Sequence, residues 1–270
     1  MQQDAVRLDR AEVLFRRDIW SVAPEDAVTE AGVQMRWFGP VFASVFADLP
    51  HAGSLNLVQG GADPGAVAEG HLGAAIDWVR SWGVDFVVPV ASDRPGTELA
   101  EQWLEWHDFE QRVVVRRFVR QGTGPRHEPV PKVEVHGLPP HEDELIGCLA
   151  TEGLGLPDLA EILFIGLPCL ENWRCYVALL EGDVAATGSM MIDGGVATLG
   201  LDATLSFARG RGCQRALLER RLADAAGAGC HTIQAFACDS IDPRHSPASG
   251  NLRRAGFEEI GRIVTWQLPG

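Results

Sequence analysis

Along the second half of the chain the spacing of apolar positions changes several times, and each change marks an element. KVEVHGL (Lys132 to Leu138) alternates apolar and polar residues and predicts a strand. PPHEDELIGCLATEGLG predicts a helix entered through proline and acidic residues, which suit the positive end of a helix. PDLAEILFIG reads as a short second helix, and the stretch from Trp173 to Leu205 reads as three strands joined by the glycine-bearing turns EGD and DGG. From Cys213 to about Ala226, Cys213, Leu217, Leu218, Leu222 and Ala225 recur at spacings of three and four, the signature of a one-sided helix. HTIQAFAC then predicts a buried strand, SPASGNLRRAGF a short helix ending at Gly256, and RIVTWQL a last strand.

The upstream half repeats part of this order. SLNLVQG, PGAVAEGHLGAAIDWVRSWG, VDFVVPVA, TELAEQWLEWHDF and QRVVVRRFVR read as strand, helix, strand, helix and strand, at an offset of about 150 residues. Trp82-Gly83 precedes its strand as Ala228-Gly229 does, and WHDF closes its helix as RAGF does. Between the halves, RQGTGPRHEPVPK gathers glycine and proline while the periodicity stops. The expected organisation is a duplicated α/β fold: residues 1–124, a linker at 125–132, and residues 133–270.

Composition narrows the classes. With 46% apolar and 22% charged residues the chain is expected to fold as a soluble globular protein. No run of about 18 apolar residues could span a bilayer, and the first residues are too charged for a signal peptide. A cytoplasmic protein without membrane contact is therefore expected. The six cysteines show no CxxC pair and no zinc spacing, so reduced thiols are expected. His136, His141, Glu142 and Asp143 could in principle hold a metal, but an acidic helix start accounts for them, and no metal is expected. A formal charge of −14 argues against nonspecific nucleic-acid binding, which needs a basic footprint. Lys132 is the single lysine, so arginine supplies nearly all the positive charge.

Against that acidic background LSFARGRGCQRALL stands out. A strand, a glycine-bearing turn and a helix N-terminus bring unpaired amides and the positive helix end to one point, an anion site. Gly210 and Gly212 let backbone approach the anion closely, while Arg209, Arg211 and Arg215 add positive field. The arrangement suits a diphosphate. A Walker loop would need a lysine, and a dinucleotide fingerprint would need glycine where Arg215 stands, so neither ATP nor NAD is indicated.

RGRGCQRALL after ATLGLDATL, followed by a strand and NLRRAGF, resembles the acetyl-CoA-binding core of the GNAT superfamily of N-acetyltransferases. Arg209 and Gly212 match positions of its [RQ]xxGx[GA] motif, and Gln214 departs from it. The resemblance implies two acyl-CoA N-acyltransferase-like domains, each a mixed, mostly antiparallel sheet flanked by helices. It also implies that the first is degenerate, because GADPGAVAEGH lacks the arginine and the glycine spacing. Acetyl-CoA, or another acyl-CoA, is the implied co-substrate, held by Ala203, Thr204, Leu205, Arg209, Gly210, Arg211, Gly212, Cys213 and Gln214. On the same basis the Asp202 amide would face the thioester carbonyl and Thr204 would contact pantetheine.

The attacking amine must be neutral, although free alkylamines have a pKa near about 10, so a base is required. Asp202 and Glu171 are the candidates, with a paired strand-end carboxylate and a solvated loop charge as the competing explanations. The family's usual tyrosine acid falls on Leu252, and the chain's one tyrosine, Tyr176, lies on another strand. Ser249 or Ser246 could hydrogen-bond the leaving sulfur, or simply cap the helix. The expected activity is transfer of an acetyl group to a small-molecule or peptide amine by direct attack on the thioester. The alternative is a non-catalytic or regulatory acyl-CoA-binding protein. No nucleic-acid partner is expected, and a homodimer is allowed.

Overall fold

The structure is a computed structural model that describes residues 2–23, 25–53, 55–122, 130–239 and 247–269. Most of the expected linker at 125–132, and Ser246, lie outside these residues. In chain order the elements begin with α1 (Gln2–Ser21), α2 (Glu25–Glu30), β1 (Val33–Phe38), β2 (Val41–Phe46), β3 (Leu57–Gln59), α3 (Pro64–Ala68) and α4 (His71–Arg80). They continue with β4 (Val88–Ala91), α5 (Thr97–Trp106), β5 (Glu110–Gln121), β6 (Val133–Gly137), α6 (Asp143–Leu154), α7 (Ile162–Ile165), β7 (Trp173–Leu180) and β8 (Asp183–Asp193). The last are β9 (Val196–Thr204), α8 (Cys213–Gly227), β10 (Thr232–Asp239), α9 (Pro247–Arg254) and β11 (Glu258–Gln267).

The elements read from the downstream half are all present, and the class is α/β with mostly antiparallel pairing. Three features of the first half depart from the sequence reading. Residues 64–83 form two helices, because Gly70 takes a left-handed φ of 75° and starts α4 anew. The pair β1 and β2 carries only weak alternation, since four of the six β1 residues are exposed. Gln2–Ser21, charged as the stretch is, form α1, whose Leu8, Ala11 and Phe15 share one buried face.

The chain divides into two compact units that do not coincide with consecutive halves. The first contains Met1–Glu25, Phe118–Phe236 and Gly250–Glu258; the second contains Asp26–Arg117, Ala237–Ser249 and Glu259–Gly270. In the first unit the strand order runs from the end of β5 through β10, β9, β8 and β7 to β6. β10 and β9 are parallel, and the pairs from β9 to β6 are antiparallel. At the DGG turn, Gly194 and Gly195 both have positive φ, 55° and 81°, as a tight two-residue hairpin requires. The C-terminal end of β5 is tied beside β10 by Gly122 N–H to the His231 carbonyl at 3.0 Å.

In the second unit β1, β2 and β3 form an antiparallel sheet, and Leu57 makes a parallel bridge to Val87. The last strand, β11, pairs antiparallel with β4 and lies between β4 and β5. Its Trp266, 1% exposed, completes a core built from Val41, Val45, Leu72, Ile76, Val79, Val90 and Leu104. Each buried leucine or valine there contributes about 1.5–3 kcal/mol relative to exposure.

Candidate functional site

The glycine-arginine loop leaves β9 through a single 3₁₀ turn at Ser206–Ala208 and enters α8 at Cys213. Gly210 and Gly212 have φ of 74° and 91°, a region that side-chain-bearing residues rarely adopt. No backbone carbonyl among the described residues accepts a hydrogen bond from the amides of Gly210, Gly212, Cys213 or Gln214. These donors, together with the positive end of a 15-residue helix, form a candidate anion cradle. A Cβ on Gly212 would stand 2.7 Å from Val130 Cγ1, so the position is closed to larger residues on steric grounds as well.

The arginines of the loop have local partners. Arg209 Nε donates to the Thr204 carbonyl at 3.3 Å, and Arg211 pairs with Glu181 at 2.7 Å. Lys132 holds the other Glu181 oxygen at 2.6 Å. The two cations keep the Glu181 carboxyl below its ordinary range. Thus Arg211 is poised beside the cradle on a surface ion pair, the kind of contact an incoming phosphate can displace.

Upstream of the loop, β9 departs from regular strand geometry at two places. Its pairing with β10 runs from Val196 opposite Thr232 to Leu199 opposite Ala235 and stops there, while β9 itself continues to Thr204. From Gly200 onward the strand is released on that side. On the other side the register with β8 slips, Ser189 facing Gly200 but Thr187 facing Ala203, so β9 carries one extra residue. The bulge centres on Leu201, whose φ of 52° is left-handed. Simple alternation would put residues 200 and 202 on one face. The extra residue separates them: Gly200 lies against the Phe15 ring of α1, and Asp202 faces α8.

The Asp202 carboxylate is engaged by Arg221 of α8. Nη1 donates to Oδ2 at 3.1 Å, and Nη2 makes a very short contact to Oδ1. Arg221 also donates to the Ser189 and Leu217 carbonyls, at 3.1 and 3.2 Å, and is 1% exposed. Two residues on, Thr204 Oγ1 is buried with no hydrogen-bond partner among the described residues.

The other sequence candidates are placed as follows. Ala203 is buried, Leu205 is the residue that caps the start of the 3₁₀ turn, and Cys213 is buried as the first residue of α8. Glu171 lies in an exposed turn before β7. Ser249 is buried in α9, and Leu252, three residues on, is 8% exposed. Tyr176 Oη donates to Asp224 at 2.8 Å, and burial with that carboxylate raises its pKa, so it braces β7 against α8. Among the described residues no cluster of His, Cys, Asp and Glu could hold a metal.

The sequence reading missed α1. Phe15 stacks on Trp173 at 4.8 Å, Asp18 accepts from the Trp173 indole at 2.9 Å, and Gln234 of β10 donates to the Leu8 carbonyl at 3.2 Å. The helix thus lies across the sheet face where β9 and β10 part. The spacing of Leu8, Ala11 and Phe15 was the signal available for it.

No family model matches the chain, and no curated protein matches it. Solved structures do. A GCN5-related N-acetyltransferase from Kribbella flavida is 16% identical and covers 98% of this chain and 95% of its own, with a TM-score of 0.66. A GCN5-related N-acetyltransferase from Sphaerobacter thermophilus is 16% identical over 86% of this chain and 78% of its own, at 0.62. The chain has the GNAT fold. A tandem GNAT protein from the clavulanic acid biosynthesis pathway, 13% identical, covers 85% of this chain and 79% of its own at 0.56.

In the second unit the loop before α4 is built differently from the one before α8. Gly70 starts α4 in the left-handed region as Gly212 starts α8, but the His71 ring crowds the β1–β2 turn, 2.5 Å from where a Cβ on Gly39 would sit. His71 Nε2 also meets the Glu69 carboxylate at 3.0 Å. A carboxylate at that helix end disfavours an anion there.

Proposed function

We propose that the chain transfers the acetyl group of acetyl-CoA, or the acyl group of another acyl-CoA, to an amine. The observation that carries this reading is the left-handed Gly210–Gly212 turn, whose unclaimed amides converge at the start of α8 directly after a released, bulged strand. The diphosphate would rest on Gly210, Gly212, Cys213 and Gln214, with Arg209 and Arg211 beside it. Pantetheine would follow β9 past Leu205, Thr204 and Ala203. The thioester carbonyl would meet the Asp202 amide at the bulge, and a donor so aimed is worth about 2.7–4 kcal/mol of transition-state stabilisation.

In this reading the amine attacks the thioester carbonyl carbon, the oxyanion is held by backbone, and the CoA thiolate leaves as the tetrahedral intermediate collapses. A thiol of pKa about 8.5 leaves as thiolate without full protonation, which suits a site where leucine stands at position 252. Ser249 is the remaining candidate beside the sulfur. With Asp202 engaged by Arg221, proton removal from the amine falls to water. The charge of −14 favours a cationic acceptor. The second unit, built mainly from Asp26–Arg117, is read as a related fold that does not hold the diphosphate.

Leu252 also supports a second reading, an acyl-CoA binder without turnover. Calorimetry with CoA and thiol release over a panel of amines separate the two: both signals support the transferase, and binding alone supports the binder. Replacing Gly212 with valine is expected to weaken CoA binding at least tenfold, and unchanged affinity would sink the cradle.

A further inference from the structure

The Arg221–Asp202 pair joins the two places the acyl-CoA reading uses, and neither group is explained by packing alone. Arg221 stands eight residues into α8, the helix whose first turn forms the cradle, and its guanidinium is withdrawn from water. It reaches β9 through a gap made by Gly188, where a Cβ would come within 3.0 Å of the guanidinium. Gly188 is the residue of β8 that faces the extra residue of the bulge, between the Ser189–Gly200 and Thr187–Ala203 pairs. Arg221 donates to the Leu217 carbonyl on its own helix, the Ser189 carbonyl on β8 and both Asp202 oxygens on β9. One side chain therefore ties the helix, the strand beside the bulge and the bulge itself. A left-handed leucine costs about 1–2 kcal/mol and persists only where its surroundings impose it. The next residue along is Asp202, held by Arg221.

We propose that Arg221 and Asp202 are positioning residues: the pair holds the β9 bulge at a fixed angle to the diphosphate helix and so aims the strand's amide at the thioester carbonyl. This rests on the acyl-CoA reading above. The Asp202 carboxylate then serves geometry, and its charge is spent on Arg221 rather than on the amine's proton.

The test uses Asp202→Asn and Arg221→Gln in the full chain, with the two substitutions combined as the double variant. Because Asp202 keeps a third of its side chain exposed, the asparagine variant retains a route to solvation if the pair is lost. The expected result is CoA affinity within about threefold of wild type, kcat at least tenfold lower with the best amine of the panel, and an unchanged shape of the kcat–pH profile. The double variant should lose no more than the worse single variant, as for two groups acting as one unit. Hydrogen exchange of the amides from Leu199 to Thr204 should accelerate at least tenfold in each variant. Loss of the acidic limb in Asp202→Asn would make the carboxylate the base and overturn the proposal. So would wild-type exchange rates in that segment. If wild type fails to bind CoA, the acyl-CoA reading falls, and the exchange measurement still decides whether the pair holds the bulge.

Discussion

Thr204 and the cysteines offer the most direct tests of single groups. A buried hydroxyl without a partner gives the folded state nothing, so Thr204→Val is expected to leave stability within about 0.5 kcal/mol of wild type. If that hydroxyl bonds pantetheine, the same change raises KM for acetyl-CoA several-fold; thermal melts and initial rates check the two halves separately. Among the thiols, Cys148, Cys169 and Cys238 are exposed and Cys175, Cys213 and Cys230 buried. Burial pushes Cys175 up to about 12, and it raises Cys213 and Cys230 as well, so at pH 8 all three remain thiols. Cys148 is raised chiefly by the Glu161 carboxylate, which slows it relative to an isolated thiol. Iodoacetamide at pH 8 is therefore expected to label at most three cysteines in the native protein and six after denaturation; mass spectrometry reads the count. The residue scale also shows where sequence reasoning ends. Gly210 and Gly212 announce their backbone in the sequence, because glycine marks positive φ. Leu201 announces nothing, since a leucine in a strand pattern predicts extended backbone.

At the scale of elements, α8 and the strand before it were legible because their periods differ, and apolar residues every three or four positions cannot serve a strand. What the period could not reveal is how β9 meets its neighbours. Its release from β10 after Leu199 and its slip against β8 are properties of pairs of strands, and no single strand encodes them. Charges around α8 act at this scale too. Glu181, in the turn between β7 and β8, occupies Arg211 and adds a negative charge near the cradle. Glu181→Gln is expected to strengthen CoA binding about threefold at low salt, and the gain should vanish near 0.5 M salt as screening sets in. Titration at two ionic strengths checks it. The lowered Glu181 pKa means its pair persists through the ordinary carboxylate range and weakens only as pH falls through the depressed value, so wild type and variant should converge in acid.

Over the whole molecule, the duplicated order of elements was readable, yet the compact units are assembled from interleaved segments. The first unit requires α1 and Phe118–Gln121, which precede residue 133. A fragment of residues 133–270 lacks both, leaving Trp173, Gly200 and the β5 side of β10 uncovered. It is expected to be insoluble or to unfold without a cooperative transition, whereas the full chain melts sharply; circular dichroism and calorimetry distinguish them. By itself the sequence determined the α/β class and the glycines that turn the backbone before α8, because local spacing and backbone freedom are written residue by residue. Only the tertiary structure decided that α1 covers the sheet, that β11 lies between β4 and β5, and that Asp202 belongs to Arg221. Those outcomes depend on which distant segments bury one another's faces, and burial is a property of the assembled chain.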